Sequence, residues 1–258
     1  MKLGKITGTI ERRILVNFRI DPDVAAKALP SPFRPQFVQG WAIGGICMIR
    51  LRSVRPSWLP EALGFSSENA AHRFAVEWDE NGETKMGVYI PRRDTSSRLN
   101  EIAGGRLFPG HHGYAEFDVE EDHPHYKVGL ASSDKVVKVL VKGTIKDSLP
   151  EGSAFEDLEH ATEFFRTGSL GYSQDPGNDH FDGLELDLPT WNLEILDVEE
   201  WVSSYFANKE MFPEGSVELD SAYLMRDAEH EWHFRGTMCC GDGMVKESGN
   251  GVIPAGGS

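Results

Sequence analysis

The chain has 258 residues, enough to bury a substantial core in one large domain or two small ones. Its apolar share of 40% and charged share of 26% are ordinary for a globular protein, but 41 acidic against 26 basic side chains leave a formal net charge of −15. That charge repels nucleic-acid backbones and anionic membrane surfaces, so neither is an expected partner.

Residues 1–8 lack the long apolar core of a secretory signal, and no apolar run approaches the ~18 residues that span a bilayer. Three cysteines, Cys47, Cys239 and Cys240, form an odd, sparse set that fits reduced thiols and a cytoplasmic address. The adjacent pair could bind a soft metal, but without spaced partner ligands the reading is buried or incidental thiols, and no metal or cofactor is expected.

In chain order, residues 13–20 read as a strand, and Asp21-Pro22-Asp23 then opens a short helix, with Asp21 suited to the N-cap and Pro22 to the first helical position. Pro30, Pro32 and Pro35 end it and impose an extended run. Strands are expected at 36–39 and 41–52 around Gly40, and a loop at 56–69. Residues 72–80 and 85–90 pattern as a hairpin across Asn81-Gly82.

A helix is expected over 96–103, followed by strands at 113–119, 126–131 and 135–145. In the last, Val137, Val139, Val141 and Ile145 alternate with Lys138, Lys142, Thr144 and Lys146, so one face packs and the other meets water or a polar cavity. Leu158, Ala161, Phe164 and Phe165 space as a helix over 156–165. Strands are expected at 181–188, 191–196, 217–224 and 231–235, with a short helix at 198–206. Residues 249–258 read as a flexible tail. The whole predicts one domain over 1–248, an α+β fold that is mostly antiparallel β, built as a large curved sheet or open β-barrel with a few short helices and room for a small ligand.

Three segments, in order, resemble the acetoacetate decarboxylase superfamily. They are Val16-Asn17-Phe18-Arg19-Ile20-Asp21-Pro22-Asp23 through Leu29-Pro30, then Phe74-Ala75-Val76-Glu77, then Ala103-Gly104-Gly105-Arg106 leading to Gly110. Residues 165–172, Leu188-Pro189-Thr190-Trp191-Asn192-Leu193 and Ser221-Ala222-Tyr223 are similar to the YqjF-like relatives of that enzyme, a branch without a settled activity. The resemblance implies the decarboxylase fold, and family members often assemble, which makes a homo-oligomer plausible.

The decarboxylase forms a Schiff base through one of two adjacent lysines whose pKa is depressed by its neighbour and an apolar pocket. Counted from Gly105-Arg106, those positions fall on Gly113 and Tyr114, neither of which forms an imine. Lys138 and Lys142 are conceivable substitutes on a strand face that otherwise reads as solvated.

The resemblance implies a carboxylate-binding role for Arg19 and an orienting acid at Glu77, against the simpler readings of a surface arginine and the polar face of a hairpin. Arg92 and Arg93 lie in a turn that could hold an anion or simply be solvated, and Arg106 could brace the loop through an acid such as Glu77. His111, His112 and Tyr114 are the best replacements for the missing lysines, the histidines as proton carriers and the tyrosine as a donor to a developing enolate. His123 and His125 flank Pro124, which favours a loop over a shared metal-binding face. Ser96 and Ser97 lack a nucleophile elbow. Trp41 and Trp191 read as core or pocket wall.

The expected function is binding of a small anionic or oxygenated organic molecule, with enzymatic chemistry of lyase, dehydratase or hydrolase type that avoids an imine. The alternative is a non-catalytic binding or sensing module.

Overall fold

A computed structural model describes residues 5–98, 108–174, 179–239 and 245–246. Its strands are β1 (Ile6–Ile20), β2 (Arg34–Pro35), β3 (Phe37–Val38), β4 (Trp41–Pro56), β5 (Phe65–Glu80), β6 (Glu83–Thr95) and β7 (His112–Asp122). They continue with β8 (His125–Ser132), β9 (Lys138–Lys146), β10 (Leu170–Gln174), β11 (His180–Asp187), β12 (Glu194–Ser203), β13 (Val217–Cys239) and β14 (Val245–Lys246). Two α-helices accompany them among the described residues, α1 (Pro22–Ala28) and α2 (Leu158–Thr167).

All the strands belong to one 14-stranded sheet. Pairing is antiparallel except where β6 meets β7 and β10. The ladders close two circuits that share β13, β1, β4, β5 and β6. One returns through β10 and β11, the other through β7, β8, β9 and β12. Closure buries residues on both faces along the middle of β1, β4 and β5. Leu15, Cys47, Ala75 and Tyr223 join a core with Leu184 and Leu186, while Ile14, Val16, Ile46, Met48 and Phe74 join another with Val128, Val139 and Val141.

Local chemistry sets the punctuation. The Asp21 carboxylate accepts from the backbone N–H groups of Asp23 and Val24, and Pro22 occupies the start of α1. Asn81 and Gly82 take positive φ of 53° and 82°, the turn that a two-residue hairpin between β5 and β6 requires. Asp157 caps α2 by accepting from the His160 N–H at 2.7 Å, and the helix buries Ala161, Phe164 and Phe165.

Several boundaries differ from the sequence expectation. β1 starts at Ile6 rather than at Arg13, β10 had no expected counterpart, and β6 runs on to Thr95, so Arg92 and Arg93 lie on a strand and not in the expected turn. The helix expected at 198–206 does not form, because Val198 to Ser203 continue β12 and pair with β9. The apolar spacing of Val198, Trp201 and Val202 fits either period over so short a run, and sheet pairing decides it. The strand expected from Trp191 starts at Glu194, and the loop expected at 56–69 gives way to β5 from Phe65. The two strands expected near 217–224 and 231–235 are one, the 23-residue β13. The helix expected at 96–103 falls largely, and the tail wholly, outside the described residues.

Candidate functional site

The circuit that returns through β10 and β11 surrounds a cavity of about 130 Å³, and each of its seven strands contributes to the lining. That space suits a few waters or a small organic molecule. Small residues open it: Ala71 stands opposite Cys47, and a side chain at Gly171 would meet Ile90. Phe165 of α2 and Phe108 complete the apolar wall.

Three arginines line this cavity, and none pairs with a carboxylate among the described residues. In a chain where acids outnumber bases 41 to 26, that is a selective arrangement. Arg73 is 4% exposed; its Nη2 donates to Asn17 Oδ1 at 2.5 Å and its Nε has no partner. Arg93 donates from Nε to the Pro109 carbonyl at 3.0 Å and from Nη2 to Ser173 Oγ at 3.2 Å. Arg13, half-buried, donates from Nε to Cys47 Sγ at 3.4 Å, and its Nη1 has no partner. Burial draws Arg73 and Arg93 down to about 10, which still leaves both cationic at neutral pH. Buried charge without a counter-charge is costly, and a bound anion would offset that cost.

Asp94 is the acid in the lining, and it is already committed. Arg92 holds it through Nε at 3.1 Å and Nη2 at 2.8 Å, and reaches Asp134 as well. Burial pushes the Asp94 carboxyl upward while Arg92 opposes the shift. A Cβ at Gly113 would stand 2.7 Å from Asp94 Oδ1 and 2.8 Å from Arg92 Nη2, so the position that the resemblance gives to a lysine abuts a closed ion pair. No lysine lines the cavity among the described residues. Lys138 and Lys142 are exposed on β9.

His112 joins the lining from the start of β7, and its Nε2 donates to the Phe108 carbonyl at 3.1 Å. Burial, and then the charge of Arg93, pull its pKa to about 4, so the ring is neutral at physiological pH. Arg93 and His112 are thus brought together, with Arg92 behind them.

The other expected site residues lie elsewhere. Arg19 donates to the Gly152 carbonyl at 2.6 Å and to Glu218 at 3.2 Å, with Trp41 beneath it. Glu77 accepts from Arg34 at 2.7 Å where β2 joins β5. His111 is exposed, and Tyr114 packs under the Arg98 guanidinium at 4.5 Å. Arg106 lies outside the described residues. Trp191 lines a second, more open hollow of about 730 Å³ and stacks 5.3 Å beneath Arg13. The charges of that hollow are spent on each other or on neighbours: Arg235 pairs with Glu185 and Arg166 with Glu163. Asp187, Glu231 and His233 place ligand atoms within 4.8 Å at its rim, but Lys5 already holds Glu231. The cavity within the β10–β11 circuit is the better candidate.

The profile of the DUF2071 family, described as "Uncharacterized conserved protein (COG2071)", matches residues 7–216. The chain belongs to this family. Its fold is that of acetoacetate decarboxylase. The enzyme from Legionella pneumophila superposes with a TM-score of 0.57 at 11% identity, covering 89% of this chain and 85% of that one. An acetoacetate decarboxylase-like enzyme from Sphingomonas wittichii gives 0.54 at 11% identity, covering 91% and 90%. The enduracididine biosynthesis enzyme MppR, in complex with pyruvate, gives 0.53 at 12% identity, covering 92% and 90%. At these identities the likeness speaks for the fold. No curated protein matches the DUF2071 chain in sequence.

Arg13 and Arg73 were not singled out by the sequence, and Cys47 was read there as a buried or incidental thiol. The available signal was a charged residue, Arg73, within the otherwise buried run His72 to Val76.

Proposed function

We propose that this DUF2071 protein binds a small carboxylate-bearing molecule inside the barrel, with Arg73, Arg93 and Arg13 as its counter-charges. The observation that carries this reading is the set of three cavity-lining arginines, Arg73 buried and Arg13 and Arg93 half-buried, without a carboxylate partner among the described residues. Guanidinium forks match carboxylates in shape as well as charge. The apolar wall from Ile49, Val88, Ile90, Leu184 and Trp232 suits a short carbon skeleton. MppR, which shares the fold, is known in complex with pyruvate, an anion of this size and kind.

His112 stands on the same lining as a neutral imidazole, able to accept a proton from a bound substrate. Chemistry here proceeds without an imine, since no lysine reaches the cavity among the described residues. Arg92 serves by holding Asp94, which leaves the Arg93 charge without a carboxylate counter-charge among the described residues.

Thermal shift with 2-oxo and 3-oxo acids, against their amides, tests the reading. A ligand at about 100 times its Kd adds about 2.7 kcal/mol to the native state. The acids should raise Tm and the amides should not, and the rise should vanish in Arg73→Gln and Arg93→Gln. Equal shifts from acids and amides would refute an arginine-bound carboxylate.

A further inference from the structure

Cys47 lies on the cavity wall, and it is the thiol of that lining. Arg13 Nε donates to its sulfur at 3.4 Å, and Arg73 and Arg93 both lie within electrostatic reach of it. Arg73 is 4% exposed, lines the same space, and keeps its Nε without a partner. Ala71, which carries only a methyl group, stands opposite Cys47 across the β4–β5 ladder and lines the same cavity. A sulfur among cations, open to a cavity built for an anion, is the setting in which cysteines react.

We propose that Cys47 is a nucleophile toward the bound molecule, adding through Sγ to the carbonyl carbon of an aldehyde- or ketone-bearing carboxylate. The inference rests on the carboxylate-binding reading of the cavity. In the addition a C–S bond forms and the C=O π pair moves to oxygen. The thiol proton ends on that oxygen, giving a hemithioacetal or hemithioketal with no change of oxidation state. The arginines fix the carboxylate, and the adjacent carbonyl carbon is left facing the sulfur. The nucleophile therefore comes from β4, whereas the decarboxylase-like pattern would place it on β7.

The test compares two alkylating reagents of nearly equal size, iodoacetate and iodoacetamide, on the full-length protein. Each cysteine is followed by peptide mass spectrometry. In both reactions sulfur bonds to the CH₂ carbon, iodide leaves and the thiol proton goes to solvent. Solvated thiolates prefer the neutral amide, because the carboxylate is repelled. Cys47 should invert that order and react about tenfold or more faster with iodoacetate. Cys239, partly exposed, should not. Pyruvate should slow the carboxymethylation of Cys47 alone. Pyruvate should also bind more weakly to Cys47→Ser than to the wild type, while propionate, which has no electrophilic carbon, binds both alike. A Cys47 that reacts no faster with iodoacetate, or with neither reagent, overturns the proposal. If propionate still shifts the Tm of Cys47→Ser in that case, the anion cavity stands and only the nucleophile falls. If no carboxylate shifts either protein, the reading of the cavity itself falls.

Discussion

Arg73 holds its guanidinium carbon 5.0 Å from the ring centroid of Phe165, so the helix that closes the cavity presents a π face to a buried cation. The ring quadrupole attracts the charge without neutralising it. The arrangement keeps the arginine in place and still leaves its charge for a ligand.

Replacing this arginine should therefore separate stability from binding. Removing a buried charge that has no carboxylate partner is often neutral or stabilising, so Arg73→Met should match or exceed the wild type in urea unfolding. Loss of a charge-assisted hydrogen bond, worth about 1.5–3 kcal/mol, should weaken carboxylate binding by roughly tenfold to a hundredfold in calorimetry. A variant that loses stability and keeps affinity would contradict the assignment of Arg73.

Two buried histidines, His72 and His230, and the half-buried His112 set a pH dependence. Burial foremost, then nearby arginines, lowers His72 to about 3 and His112 and His230 to about 4. In the unfolded chain each titrates near the ordinary value of about 6.5. Between that value and the native one, the unfolded chain holds a proton that the native state does not. Stability is thus full above about pH 6.5 and falls as the pH drops through this window. Each histidine should cost about 2 kcal/mol by about pH 5. Urea midpoints at about pH 7.5 and pH 5 should show the loss, and His230→Phe should reduce its slope by one proton. Equal midpoints at the two pH values would exclude neutral buried histidines.

Restoring a lysine at Gly113 should not restore imine chemistry. A side chain there meets the Arg92–Asp94 pair, and Asp94 is fully buried and unable to retreat into solvent. Gly113→Lys should lose about 1–3 kcal/mol of stability. Borohydride in the presence of a 3-oxo acid should trap no adduct at that residue, as intact mass will show.

The cap of α2 should matter at the cavity too. Asp157→Ala removes the acceptor of the His160 N–H and should cost about 1 kcal/mol. Because Phe165 rides on that helix, carboxylate affinity should fall along with Tm, and the Asn variant, which keeps an acceptor, should recover both.

Local signals were legible where chemistry is local. Asp21-Pro22 marked α1, Asn81-Gly82 marked the β5–β6 hairpin, and the alternation of Val139 and Val141 with Lys138 and Lys142 marked β9. The decarboxylase fold was legible in the order of motifs. The cavity was not, because it is made by ring closure between strands as distant as β1 and β11. On β1, β4 and β5 both faces are buried, so the alternation that would separate an inward from an outward residue is missing. Arg73 inside the barrel and Arg19 outside it look alike in the sequence, each an arginine within an apolar run. Only the ladder shows that one meets Asn17 and the other Gly152.

A wall used on both sides also changes what strand slippage means. Where a sheet has a wet face, a shift by one residue trades core for solvent. In this protein a shift of β5 would trade one interior for another: His72 would enter the space among the arginines, and Arg73 would land among Tyr205 and Phe206. The irregularity between Ile10 and Arg12 in the β1–β4 ladder marks such a change of phase, for the cavity-side residues pass from Ile10 to Arg13 and Leu15. Deleting Glu11 would reverse that phase for one end of β1, which makes a single inserted residue the device that decides which chamber Arg13 serves.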